Sequence, residues 1–216
     1  MSSLFAPEKG HGIKKPDGVK KKGKRTLKDI TGRIPLPELH RQLVESKGWP
    51  YKTFMEEYLR RDRGLVSACV ITGGRIKEVL MIERKQVIAD PEDGNYWLIT
   101  NFQVVKRKGG AKDYRVEVAL PLEGSKYPWS EFAPFTHLFL DYLKEAPSEG
   151  RIFRFGRIRA WQIVEANLGI WCHYLRAVCE SHLMRVMKDS VVVGKYMKVN
   201  PETLSKYVQA EWRDYR

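Results

Sequence analysis

Cysteine is scarce: Cys69, Cys172 and Cys179 are the three in 216 residues. They form no CxxC pair and do not divide into pairs, which argues against a disulfide framework or a structural zinc site. No run of about 18 apolar residues is present to span a bilayer as a helix. No apolar signal region follows Met1, because Glu8, Lys9, Lys14 and Lys15 come too early. No internal repeat is visible. Acidic residues are also short, 26 against 39 Lys and Arg, leaving a formal charge of +13. These absences predict a reduced, cytoplasmic protein with an anionic partner, for which nucleic acid is the commonest candidate and an anionic membrane the rival. Nothing in the chain calls for a metal or a cofactor.

What is present suffices for one sizeable domain plus an extension, with 43% hydrophobic and 11% aromatic residues. The first 33 residues differ from the rest. They hold ten Lys or Arg against three acidic residues, a surplus of +7. Rich in Gly and Pro and poor in large apolar residues, residues 1–33 read as a flexible basic arm able to follow a DNA backbone. Lys14, Lys15, Lys20, Lys21, Lys22, Lys24 and Arg25 are its DNA-binding candidates. The alternative is a solvated tail that aids solubility.

Order is expected from Leu36. Pro37 suits the first turn of a helix carrying Leu39, Leu43 and Val44. After Gly48-Trp49-Pro50, helical spacing resumes at Phe54, Met55, Tyr58 and Leu59. Asp62 to Ile71 reads as a mostly apolar helix closed by Gly73-Gly74, which puts Arg75 at a helix junction. A short amphipathic helix follows through Ile76, Val79, Leu80 and Ile82. Tyr96 to Val105 and Tyr114 to Leu120 are β-branched and aromatic, joined by a Gly109-Gly110 turn. Helices are then expected over Glu131–Lys144, Arg157–Ala166 and Trp171–Lys188, and from Pro201 onward. The predicted fold is mainly α with a small antiparallel β-sheet, α+β in class.

Two arginines, a histidine and a tyrosine near the chain end suit chemistry on a phosphodiester. Guanidinium groups match phosphate oxygens, and a phenolic oxygen can attack phosphorus. In this reading Arg75 and Arg176 clamp the non-bridging oxygens, and His173 donates a hydrogen bond or acts as acid–base. Lys106 or Lys108 protonates the leaving 5′ oxygen, and Tyr207 attacks. Taken singly, each has a plainer explanation: a surface arginine beside Glu78, a chance His-x-x-Arg, a solvated Lys-Arg-Lys turn, a helix-face tyrosine. The signal is their order and spacing together.

That ordered set resembles the catalytic domain of the tyrosine recombinases, the phage-integrase family, and within it the archaeal and archaeal-virus members most. Arg61 to Leu80, with Thr72-Gly73-Gly74-Arg75-Ile76-Lys77-Glu78, matches the family's first arginine box, with Glu78 as the acidic companion. Val104-Val105-Lys106-Arg107-Lys108 and Arg115 to Pro121 resemble the hairpin that bears the catalytic lysine, and Arg107 is a DNA-binding candidate there. Phe153 to Ile163 resembles the segment before the second box, and His173-Tyr174-Leu175-Arg176 matches that box. Pro201-Glu202-Thr203-Leu204-Ser205-Lys206-Tyr207 matches the nucleophile segment. The resemblance implies a site-specific recombinase or integrase of a mobile genetic element. Such an enzyme joins DNA covalently through a 3′-phosphotyrosine, without metal or ATP, and works as a tetramer on two double-stranded DNA sites.

The chain departs from the family pattern in three places. Nine residues before Tyr207, where the family has His or Trp, stands Lys198, with Gly194-Lys195 as a shifted alternative. Lys106 and Lys108 both fit the hairpin lysine, Lys106 slightly better by its Val-Val-Lys-Arg context. Residues 34–60 form a short helical extension, too short for the family's core-binding domain, before a catalytic domain over 61–216. Tyr196 follows Arg176 too soon to be the nucleophile, and Tyr215 lacks the preceding Pro-Glu-Thr. A DNA-binding relative without cleavage, and a topoisomerase-like activity, are the alternative functions.

Overall fold

A computed structural model describes residues 34–50, 55–105 and 114–198. The basic arm, Lys106, Arg107, Lys108, the glycine turn, Tyr207 and Tyr215 all lie outside the described residues. The remainder is mostly helical with a three-stranded antiparallel sheet. Among the described residues, no helix is long and apolar enough to cross a membrane.

Helix α1 spans Leu36–Glu45, with Pro37 in its first turn. Its apolar stripe, Leu36, Leu39 and Leu43, is fully buried in the same hydrophobic cluster as the rest of the domain. The two helical stretches expected around Tyr58 and Val66 are one helix, α2, Glu56–Thr72. Every residue from Gly64 to Thr72 is buried, so this half of α2 is the central post of the core. Gly64 lets helix α4 (Ala133–Glu145) approach, since a Cβ there would lie 2.8 Å from Tyr142 Cβ. Helix α3 is a single turn, Ile76–Val79, shorter than the expected run to Ile82.

The sheet has the order β1 (Val87–Ala89), β2 (Tyr96–Val104) and β3 (Tyr114–Pro121). In β2, Ile99 and Phe102 are both buried although three positions apart, which a regular strand with a side-chain period of two cannot provide. The register breaks between Ile99↔Val118 and Phe102↔Val116, with Asn101 at a φ of 54°. Two residues of β2 thus face one of β3, a bulge that turns Phe102 inward. Asparagine tolerates that left-handed backbone better than a branched residue would.

Helices α5 (Arg157–Leu168) and α6 (Cys172–Met187) follow the expected positions to within two residues. An eight-residue helix, α7 (Ser190–Met197), was not expected. Three valines and a glycine make its sequence a poor helix former. The Asp189 side chain starts it by accepting hydrogen bonds from Val191 N at 2.8 Å and Val192 N at 3.1 Å.

Candidate active site

The last carbonyls of α2 organise the site. A helix end leaves its final C=O groups without helical partners, and its dipole favours positive charge there. Side chains from α6 and α7 supply the donors. The Tyr196 hydroxyl donates to Ile71 O, Lys198 Nζ to Thr72 O at 2.7 Å, and Arg176 Nη1 to Gly73 O. Arg176 Nη2 donates to Met197 O at 2.6 Å, tying α6 to the end of α7. Its Nε stands 3.0 Å from Glu180 Oε1, an ion pair with both partners buried. The contact is one of charge more than direction, because neither Glu180 oxygen sits in hydrogen-bond geometry. Two of the five guanidinium N–H groups thereby donate inside the protein, and a third, on Nε, faces the Glu180 charge.

Gly73 makes this junction possible. It closes α2 in the left-handed conformation at a φ of 54°, and an added Cβ would lie 2.6 Å from Met197 Sδ. Gly73→Ala should therefore cost about 1–2 kcal/mol for the backbone and roughly 1–3 kcal/mol more for crowding. Gly150→Ala is the control, because Gly150 has a φ of 72° and nothing within 4 Å of the added methyl. Urea denaturation should show the Gly73 variant clearly less stable than the Gly150 variant. Equal losses would remove the crowding by Met197 as the cause.

Arg75 caps α3 in an extended conformation and is the more open of the two arginines, its side chain 31% exposed against 5% for Arg176. The buried Glu78 carboxylate holds it from two sides. Arg75 N donates to Oε2 at 2.6 Å, and Arg75 Nη1 to Oε1 at 2.9 Å. The same Oε1 accepts from Val105 N at 3.1 Å, fixing the end of β2 one residue before Lys106. Glu78 thus links the first arginine to the root of the lysine-bearing segment.

His173 lies in the first turn of α6, three residues before Arg176 and so on the same helix face. Its side chain reaches the surface. Partial burial, then the nearby charges of Arg176 and Arg75, hold its pKa below the usual histidine value, favouring neutral imidazole. Lys198 closes the group. Surrounded by protein atoms, its ammonium is pushed down to about 7, chiefly by burial and then by Arg176, with Cys179 and Glu78 opposing. Folded protein sheds this proton near 7 while an unfolded lysine keeps it to 10.5, so this group makes folding more favourable as pH rises through that window. The Glu180 carboxyl is raised by burial, which Arg176 and Arg75 partly offset.

Arg75, Glu78, His173, Arg176 and Lys198, named from the sequence, thus come together around the end of α2. Of the two lysines weighed near the end of α7, Lys198 joins the cluster and Lys195 stays exposed. Sequence reasoning missed Glu180 and the Tyr196 clasp. An i, i+4 Arg–Glu pair was legible in the α6 sequence for the first. Nothing in residue type announces the second, because its acceptor is a backbone carbonyl. Among the described residues, no group of three or more His, Cys, Asp or Glu could hold a metal ion.

No protein-family model matches the chain, and no curated protein does. Solved structures do resemble it, these two among them. One is the XerH site-specific recombinase bound to palindromic difH substrate in a post-cleavage complex, at 14% identity and a TM-score of 0.59, covering 82% of this chain. The chain spans 48% of the length of that recombinase chain. The other is the integrase from mycobacterium phage Brujita, at 13% identity and a TM-score of 0.46, covering 93% of this chain and 64% of that one. At such identities the likeness to XerH is one of architecture, and the fold is that of a tyrosine recombinase catalytic domain.

Proposed function

We propose that this chain is a site-specific DNA recombinase or integrase that breaks and rejoins strands through a 3′-phosphotyrosine. The observation that carries the reading is the gathering of Arg75, His173, Arg176 and Lys198 around the carbonyl end of α2. Four side chains bearing N–H donors at one place, two of them guanidinium groups oriented by Glu78 and Glu180, can hold an anion, and a phosphodiester carries its charge on two non-bridging oxygens. XerH, which shares the fold, is bound to its DNA substrate after cleavage, in line with double-stranded DNA as the partner here.

In the proposed reaction, Arg75 and the two N–H groups left on Arg176 hold the non-bridging oxygens. The Tyr207 phenol oxygen attacks phosphorus, its proton passing to the neutral imidazole of His173. The bond from phosphorus to the 5′ oxygen breaks as Lys106 or Lys108 gives that oxygen a proton. Lys198 donates to a phosphate oxygen as the charge builds, taking the place the family gives to His or Trp. Rejoining is the reverse, with the energy held in the phosphotyrosine bond. Glu78 positions Arg75, while Arg107 and the arm lysines (Lys14, Lys15, Lys20, Lys21, Lys22 and Lys24, with Arg25) engage the flanking backbone. The sequence motifs favour an archaeal or archaeal-virus mobile element, a DNA-associated intracellular setting and a tetramer on two sites.

A duplex nicked beside the scissile phosphate tests this reading, because loss of the short leaving strand prevents rejoining. The wild-type chain should accumulate a covalent protein–DNA complex that survives denaturant and forms in the presence of a chelator. Duplex binding without any covalent complex would instead favour the DNA-binding relative, which the lysine at position 198 and the inward engagement of Arg176 make the second reading.

A further inference from the structure

Tyr196 is the one member of the α2 clasp to which the proposed reaction gives no part. Its hydroxyl donates to Ile71 O, and its ring lies 4.8 Å from that of Trp129 at 39°. The face of the ring receives Lys198 Nζ, 5.5 Å from the centroid, while the Phe102 ring receives the same ammonium at 4.9 Å. Lys198 itself closes α7 in the left-handed conformation, at a φ of 56°, where a residue with a Cβ is strained and needs support from its surroundings. The support comes from two donors on neighbouring carbonyls of α2, Tyr196 on Ile71 and Lys198 on Thr72. Burial holds the Tyr196 phenol well above its ordinary pKa, so it stays a protonated donor.

We propose that Tyr196 is a positioning residue for the phosphate site: clasped on the Ile71 carbonyl, it fixes the end of α7 so that Lys198 waits on the Thr72 carbonyl, from which a DNA phosphate oxygen takes it. The proposal rests on the recombinase reading above. A carbonyl is a neutral acceptor and a phosphate an anionic one, so the ammonium exchanges a weaker hydrogen bond for a charge-assisted one. Before DNA arrives, the amine is held among Arg176 and Cys179 of α6, Glu78 of α3 and Tyr196 of α7. The cavity of about 260 Å³ beside it adds Tyr96 of β2, Glu117 of β3 and Lys195 of α7. Tyr196 therefore controls how far Lys198 is withdrawn from water, and through that its charge.

The test follows the Lys198 side chain in the full protein by NMR of ¹³C-labelled lysine, with the Cε signal assigned by Lys198→Arg. In the wild type it should titrate near 7. In Tyr196→Phe, which keeps both rings' contacts and loses only the anchor, the midpoint should rise by at least about one unit, a tenfold change in proton affinity. Adding a nonspecific duplex to the wild type should raise the midpoint as well, because a phosphate stabilises the ammonium. An unchanged midpoint in the Tyr196 variant, with its thermal transition intact, would leave the phenol a space-filling residue and overturn the proposal. A wild-type midpoint indifferent to duplex would overturn the handover from Thr72. Failure of the recombinase reading registers separately, as absence of covalent complex on the nicked duplex.

Discussion

Tyr207→Phe should eliminate the covalent protein–DNA complex on a nicked duplex while leaving duplex binding and thermal stability close to wild type. Removing a nucleophile that works as a unit with its activating groups costs roughly 10⁴-fold or more in rate. Nothing else in the proposed site can replace a phenolic oxygen at phosphorus. Among the described residues, Tyr196 is the rival weighed from the sequence, eleven positions earlier. Its hydroxyl is spent on Ile71 O, and burial keeps its proton in place, so it is a poor attacking group. Tyr196→Phe should therefore slow formation of the complex through Lys198 without removing it. Denaturing gels of the two variants on the same substrate decide the matter. Complex persisting in the Tyr207 variant and vanishing in the Tyr196 variant would transfer the nucleophile to α7 and overturn the assignment.

Much of this arrangement was readable from residue patterns, and the unreadable part has a common cause. The mostly apolar run from Leu65 to Ile71, interrupted only by Ser67 and followed by Gly73-Gly74, marks a buried helix with a sharp end, and α2 has both. β-Branched and aromatic residues marked β2 and β3, and His173 and Arg176 shared a face once α6 was recognised. Strand β1 escaped because it is three residues long with two of them exposed, too short for a period to register. Helix α7 escaped because valine and glycine argue against a helix, while packing of Val193 and Met197 into the core and the Asp189 cap override propensity. The bulge at Asn101 escaped because a shift of register is a property of two strands together. The carbonyl clasp at the end of α2 is the largest omission. Every residue has a carbonyl, so the acceptors for Tyr196, Lys198 and Arg176 carry no signature in the sequence.

Arg176→Ala should be the most damaging single change to the fold among the site residues. The buried pair with Glu180 gives little net stability while intact, because two charges have been taken out of water to make it. Removing one partner is different: Glu180, 1% exposed, is left as an uncompensated carboxylate, at a cost of about 3–5 kcal/mol. Losing the donors to Gly73 O and Met197 O adds the penalty of under-satisfied buried carbonyls, on the order of 1–3 kcal/mol each before relaxation. For a chain of this size, losses of that order lower the thermal midpoint by roughly 10 °C or more. Arg176→Met with Glu180→Leu separates the two contributions. It removes both charges at similar volume, so it should recover the part due to the stranded carboxylate and keep the part due to the carbonyls. Midpoints from thermal melts should thus rank wild type highest, the double variant between, and Arg176→Ala lowest. Neither variant should form covalent complex, because each lacks the guanidinium proposed to hold the phosphate. A double variant no more stable than Arg176→Ala would mean that the carbonyl clasp, and not the Glu180 charge, is what Arg176 holds together.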